Sequence, residues 1–263
     1  MEIILFAILA LGLPIVGVII TTIAVQRYAE PAIDKFKMED LKWEEKMPRI
    51  LTQVSIFRTM PFVGVIFGLL IFQFYFTSNY ELAGDIETQV YYSAGMMIGF
   101  SSLFMCISLA IIYKEALPEI VEDSNKYSRY LVLSSMPITG AIFGLMASIL
   151  LFMGVGIIGG PPDEIIDVNE ANNILNAAII FSILSVSSIF KGYLPTLVQG
   201  KLKTYTQNEI EKIRKAREAG KYDQAIAPDP VFSKKMIFAV IPEAGLMVGL
   251  LIVILTYVSI GIG

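Results

Sequence analysis

Apolar residues gather in six long runs, near 3–25, 59–78, 90–113, 131–156, 172–190 and 236–262. Each approaches or exceeds the ~20 residues that an α-helix needs to cross a bilayer. The pattern predicts an all-α membrane protein with six transmembrane helices. The first run starts at Met1-Glu2 with no basic segment ahead of it. It is therefore expected to be an uncleaved span rather than a signal peptide.

The polar positions between the runs are sorted by sign. All 20 Lys and Arg fall in three segments, 7 in 27–58, 3 in 114–129 and 10 in 191–235. The connections Asn79–Gln89 and Gly156–Ala171 contain none. They hold Glu81, Asp85, Glu87, Asp163, Glu164, Asp167 and Glu170. Basic loops stay on the cytoplasmic side. The expected topology places both termini outside and the three basic loops inside. Composition agrees: 55% of residues are hydrophobic, 17% are charged and the mean hydropathy is +0.67. The chain has no His and one Cys. His-based catalysis, Cys/His zinc sites and disulfide frameworks are thereby excluded. No nucleophile–base pair or ligand cluster is apparent, and no nucleic-acid partner is indicated.

The even-numbered runs share a motif near their cytoplasmic ends. It reads Met60-Pro61-Phe62-Val63-Gly64-Val65-Ile66-Phe67-Gly68-Leu69, then Met136-Pro137-Ile138-Thr139-Gly140-Ala141-Ile142-Phe143-Gly144-Leu145, then Ile241-Pro242-Glu243-Ala244-Gly245-Leu246-Met247-Val248-Gly249-Leu250. The common pattern, P-x-x-G-x-x-x-G-L, is an internal repeat. The odd runs are followed by Pro31, Pro118 and Pro195, expected just past the helix ends. The repeat predicts three tandem hairpins, 1–78, 79–156 and 157–263. Two-helix units all keep one orientation, which argues against an inverted-repeat carrier and suits rotational stacking in a ring. Glycines four residues apart let helices approach closely. The motif prolines are expected to kink their helices, each freeing a carbonyl.

Glu243 is the single charged residue within a predicted span, about 12 Å beyond Lys235 at ~1.5 Å per residue. An intramembrane carboxylate costs several kcal/mol and marks an ion path by default. Burial favours its neutral form. With no Lys or Arg assigned to a span, its counter-charge is expected to come from another protein.

Pro242-Glu243 followed by Gly249-Leu250 resembles the carboxylate helix of the rotor-ring proteolipids of V-type and archaeal A-type ATPases, the c/K proteolipids. That resemblance covers the six spans as three hairpins and is specific in the even ones. It implies a homo-oligomeric, ring-forming protein turning against a stator membrane protein that supplies an Arg. Central-stalk subunits would dock at the cytoplasmic loops. The chain itself would be a non-catalytic, ion-translocating part of the complex. Glu243 would carry H⁺ or Na⁺, with no other cofactor. Phe62 and Ile138 stand at the carboxylate position of the first two hairpins, so one ion per six helices is expected. The odd runs lack the family's glycine pattern, and the loop 191–235 is long.

If Na⁺ is the coupling ion, Thr139 and Ser185 are the expected oxygen ligands beside Glu243. Thr139 matches the Thr of sodium-binding relatives. Gly140 replaces their Gln, and Phe67, Phe143 and Val248 replace their Tyr. The residues lean to H⁺. Asn208–Lys221 is expected to form a short cytoplasmic helix stopped at Gly220. Two other readings remain at this level: a single-copy membrane subunit of another ion-translocating complex, such as a methyltransferase or hydrogenase module, and a non-transporting scaffold.

Overall fold

The computed structural model describes residues 2–40, 43–77, 84–159, 166–204, 206–220 and 229–260. Six of its helices are long and apolar enough to span a membrane: α1 Ile4–Glu39, α2 Trp43–Thr77, α3 Ile86–Glu122, α4 Ser124–Gly154, α5 Val168–Thr196 and α6 Pro230–Ser259. All regular structure among the described residues is helical. The chain is an integral, multi-pass membrane protein. Glu81, Asp163 and Glu164 of the acidic connections, and Lys42 and Lys221 of the basic loops, lie outside the described residues.

The helices run further than the apolar stretches alone suggest. α1 continues to Glu39 and α2 begins at Trp43, so most of the basic segment 27–58 is helical. α3 reaches Glu122, and α4 opens with a single 3₁₀ turn, Ser124–Lys126. These segments hold no glycine and many Lys, Glu and Leu, which keep a helix going after its apolar face ends. Pro31, Pro118 and Pro195 correct one expectation, since they sit inside helices rather than beyond their ends.

The helices form two layers. α3 packs along α1 on one side and α5 on the other, while α2, α4 and α6 cover this odd-numbered layer. Small residues make the close approach possible. A Cβ on Gly68 would collide with the carbonyl oxygen of Ala10, and one on Gly99 with that of Leu9. Gly95 and Gly99 are a four-residue glycine pair in α3, so this odd helix does carry the close-packing stripe. Gly192 brings α5 against Ser108 of α3, its missing Cβ 2.9 Å from the Ser108 carbonyl carbon.

Two apolar clusters fill the interior. Phe6, Tyr91, Met97, Phe152, Phe181 and Tyr257 meet toward the termini. Phe57, Leu109, Tyr113, Leu117, Tyr130 and Leu202 meet toward the basic loops. Tyr113 donates to the Phe57 carbonyl at 2.6 Å, satisfying a hydroxyl that would otherwise be costly to bury. Ile15, Ile19, Ile66, Leu69, Ile237, Leu251 and Val258 face outward, as a lipid solvent allows.

Each even helix breaks at its motif proline in one way. Val63 and Gly64 donate to the carbonyls of Met60 and Pro61, Thr139 and Gly140 to Met136 and Pro137, and Ala244 and Gly245 to Ile241 and Pro242. The three-residue bonds replace the ordinary ladder because proline has no N–H to give. The helical ladder is interrupted at all three sites. The loop helix Gln207–Glu218 also forms, and Gly220 beyond it has φ +70°.

Candidate ion-carrying site

α6 starts from a built terminus. Asp229 accepts from Val231 and Phe232 N–H through Oδ1, and Pro230 fills the first helical position. The other carboxylate oxygen accepts from Lys203 N–H at 3.0 Å and pairs with Arg129. Arg129 also donates to the Lys203 carbonyl at 2.6 Å. α4, the segment after α5 and α6 are thus tied at one buried node. Although burial works against its charge, the hydrogen bonds from Phe232 and Lys203 and the Arg129 guanidinium hold the Asp229 carboxyl below its usual range.

Glu243 lies about 20 Å along α6 from Pro230, at ~1.5 Å per residue. It is the first residue of the helix after the proline break. Its side chain is 20% exposed. The group facing it is Lys191 of α5, with Nζ 3.4 Å from Glu243 Oε1 and a side chain that is 0% exposed.

Lys191 corrects the expectation that any counter-charge must come from another protein. An apolar run that ends at its first charge leaves Lys191 in a loop. α5 instead continues past it to Thr196. Gly192 follows it and presses against Ser108 of α3, which leaves the adjacent Lys191 within the packed layer. A lone Lys followed by Gly-Tyr-Leu-Pro was the available signal.

Two further groups receive the ammonium. Lys191 donates to Thr139 Oγ1 and, at 3.3 Å, to the Met136 carbonyl. That carbonyl belongs to the proline turn of α4, where Gly140 N–H has moved to the Pro137 carbonyl. Thr139 donates its own proton to Met136 at 2.8 Å. Three helices therefore supply one cluster: Met136 and Thr139 from α4, Lys191 from α5 and Glu243 from α6. At 3.4 Å and an effective dielectric constant of ~20 the two charges attract by about 5 kcal/mol. Burying them costs several kcal/mol per ion, so the extra oxygen contacts to the ammonium are needed to hold the pair.

Of the expected ligands, Thr139 joins Glu243 in this cluster, with the Lys191 ammonium between them. Ser185 does not reach it: its buried hydroxyl donates to the Ser182 carbonyl at 2.6 Å. Buried hydroxyls without a hydrogen-bond partner lie nearby. Ser188 touches Gly140, Ser187 touches Gly245 two residues after Glu243, and Ser108 touches Gly192. At the equivalent position of the first proline turn, Cys106 stands near the Pro61 carbonyl, and Ser102 and Met105 lie against Gly64.

A second set of buried charges lies toward the basic loops. Lys235 of α6 reaches Glu115 of α3 at 2.5 Å, and Tyr130 of α4 donates to the same carboxylate at 3.2 Å. Lys126 pairs with Glu119 at 3.0 Å.

Comparison with known proteins places part of this arrangement. Residues 92–151 match the family model of the ATP synthase C subunit. Over these residues the chain is similar to c/K proteolipids. The matched stretch is the α3–α4 hairpin, with Gly95, Gly99, Pro137, Thr139, Gly140 and Gly144, and it ends before Lys191 and Glu243. The K subunit of the A-type ATP synthase of Methanocaldococcus jannaschii is 31% identical over 104 residues, which are 40% of this chain. The match spans about half the length of that relative, 47%. No solved structure matches the chain.

Proposed function

We propose that the chain is a rotor-ring proteolipid of a V/A-type rotary ATPase or ATP synthase, moving one proton per chain through Glu243. Similarity to c/K proteolipids over the second hairpin supports an ATPase membrane subunit. The observation that carries the reading is the placement of Glu243: a partly shielded carboxylate, mid-helix, at a proline break where α4, α5 and α6 meet. A charge is kept in a membrane span at such cost only where it works.

The unit of the ring would be one chain of three hairpins, 1–78, 79–156 and 157–263. Phe62 and Ile138 leave the first two without a carboxylate, so each turn would move fewer ions and each ion would account for more of the work. Both termini would lie outside and the basic loops in the cytoplasm, where central-stalk subunits would dock. A stator protein supplying an Arg would meet Glu243 from the lipid side. H⁺ is favoured over Na⁺ because an ammonium, not an open oxygen cage, stands between Glu243 and Thr139.

One observation favours a second reading. The charge pair is complete within a single chain, which also suits a subunit present once in another ion-translocating complex. Reconstitution of the complex in vesicles tests the first reading. ATP should drive proton uptake that Glu243→Gln abolishes. Undiminished uptake by that variant would refute the carrier role.

A further inference from the structure

We infer that Lys191 and Glu243 hold the exchangeable proton as a unit, and that their ion pair is the loaded, electroneutral state of the site. The inference rests on Glu243 being the carrier and deepens that reading. A carboxylate alone in lipid is neutral only when protonated. Here the ammonium lies 3.4 Å away, fully buried. Adding a proton to Glu243 beside it would leave an uncompensated positive charge in a low-dielectric site. The pair with one exchangeable proton has no net charge. Unloading then removes a proton from the Lys191 ammonium to a water molecule. Neutral amine and Glu243 carboxylate remain, an anion that an incoming cation from a partner can face.

The surroundings suit this exchange. α4 presents the Thr139 hydroxyl and the Met136 carbonyl, oxygens that accept from the ammonium. α3 presents Ser108, and α5 itself presents Ser187 and Ser188. These three hydroxyls are buried without partners, and Ser108 and Ser188 are 0% exposed. Buried hydroxyls of this kind are natural partners for water molecules. Among the described residues, the other buried charges of the neighbouring helices are engaged elsewhere, Lys235 with Glu115, Lys126 with Glu119 and Arg129 with Asp229. The same arrangement disfavours an alkali cation, which would meet a resident positive charge where it needs oxygen ligands.

Carbodiimide labelling of the intact complex in native membranes tests the inference, because the reagent attacks the protonated carboxyl and spares the ion-paired one. Wild-type Glu243 should label slowly at neutral pH. Lys191→Met should label at least about tenfold faster, the change that one unit of proton affinity brings. Lys191→Arg should restore slow labelling. Fast labelling of the wild type, unchanged in Lys191→Met, would overturn the inference. Infrared spectra of the wild type keep the test open where Lys191→Met fails to assemble. No deuterium-sensitive band of a protonated carboxyl should be present at neutral pH. Such a band, absent from the double variant Lys191→Met/Glu243→Gln, would overturn it. Labelling reads the protonation of one side chain in any assembly, whereas copy number reads the ring. Fast labelling in a multi-copy ring removes the paired state and leaves the rotor standing.

Discussion

Lys191 Nζ stands 3.4 Å from Glu243 Oε1, between two helices of an all-helical membrane protein, with the lysine wholly shielded from solvent. The cluster around it joins α4, α5 and α6. Removing one charge of such a pair strands the other.

Stability should therefore respond to the two residues jointly. Glu243→Gln is expected to cost about 3–5 kcal/mol, the range for breaking a buried pair from one side. Lys191→Met/Glu243→Gln should recover most of that loss. Denaturant titration in detergent measures both. Equal stability of wild type and Glu243→Gln would show that the contact contributes nothing.

The close approach of α1 to its neighbours depends on absent side chains. A Cβ at Gly68 or Gly99 would strike a backbone carbonyl of α1, which cannot swing aside as a side-chain tip can. Gly68→Ala and Gly99→Ala are each expected to destabilise by about 1–3 kcal/mol or more. Gly84→Ala, where nothing lies within 4 Å, should be close to neutral. Thermal denaturation of the three variants side by side is the check.

Asp229 both caps α6 and binds Arg129. Asp229→Ala removes cap and counter-charge together and should cost about 3–5 kcal/mol. Asp229→Asn keeps a capping oxygen and should cost less. If the two variants lose the same amount, the charge pair is not what holds the node.

Glu209 predicts a pH response outside the membrane. Its hydrogen bond from Lys203, with those from Thr206 N–H and hydroxyl, lowers its carboxyl from 4.5 to about 2. The folded value lies below the unfolded one. The stabilisation is thus complete above about 4.5 and fades as pH falls through about 2. The carboxyl carbon shift of Glu209 should titrate near the lower value, and Lys203→Met should move the midpoint upward. A wild-type midpoint near 4.5 would contradict the contact.

The six helices were legible because runs of bilayer length admit few other structures. Their ends were less so: charged segments after α1 and α3 lack the glycine that would stop a helix, and the prolines at 31, 118 and 195 were tolerated within it. Glu243 stood out by its charge within the motif. Lys191 did not, because the apolar run stops at this first charge, while packing of Gly192 on α3 carries α5 onward. The node of Arg129, Lys203 and Asp229 joins residues 100 apart in sequence, which no local pattern reveals.

The number of copies of this chain in its native complex tests the rotor reading most directly. Native mass spectrometry of the intact membrane complex, with this protein quantified, should find several copies in one closed ring. A single copy per complex would contradict the rotor and leave the ion pair as part of a different ion-translocating machine.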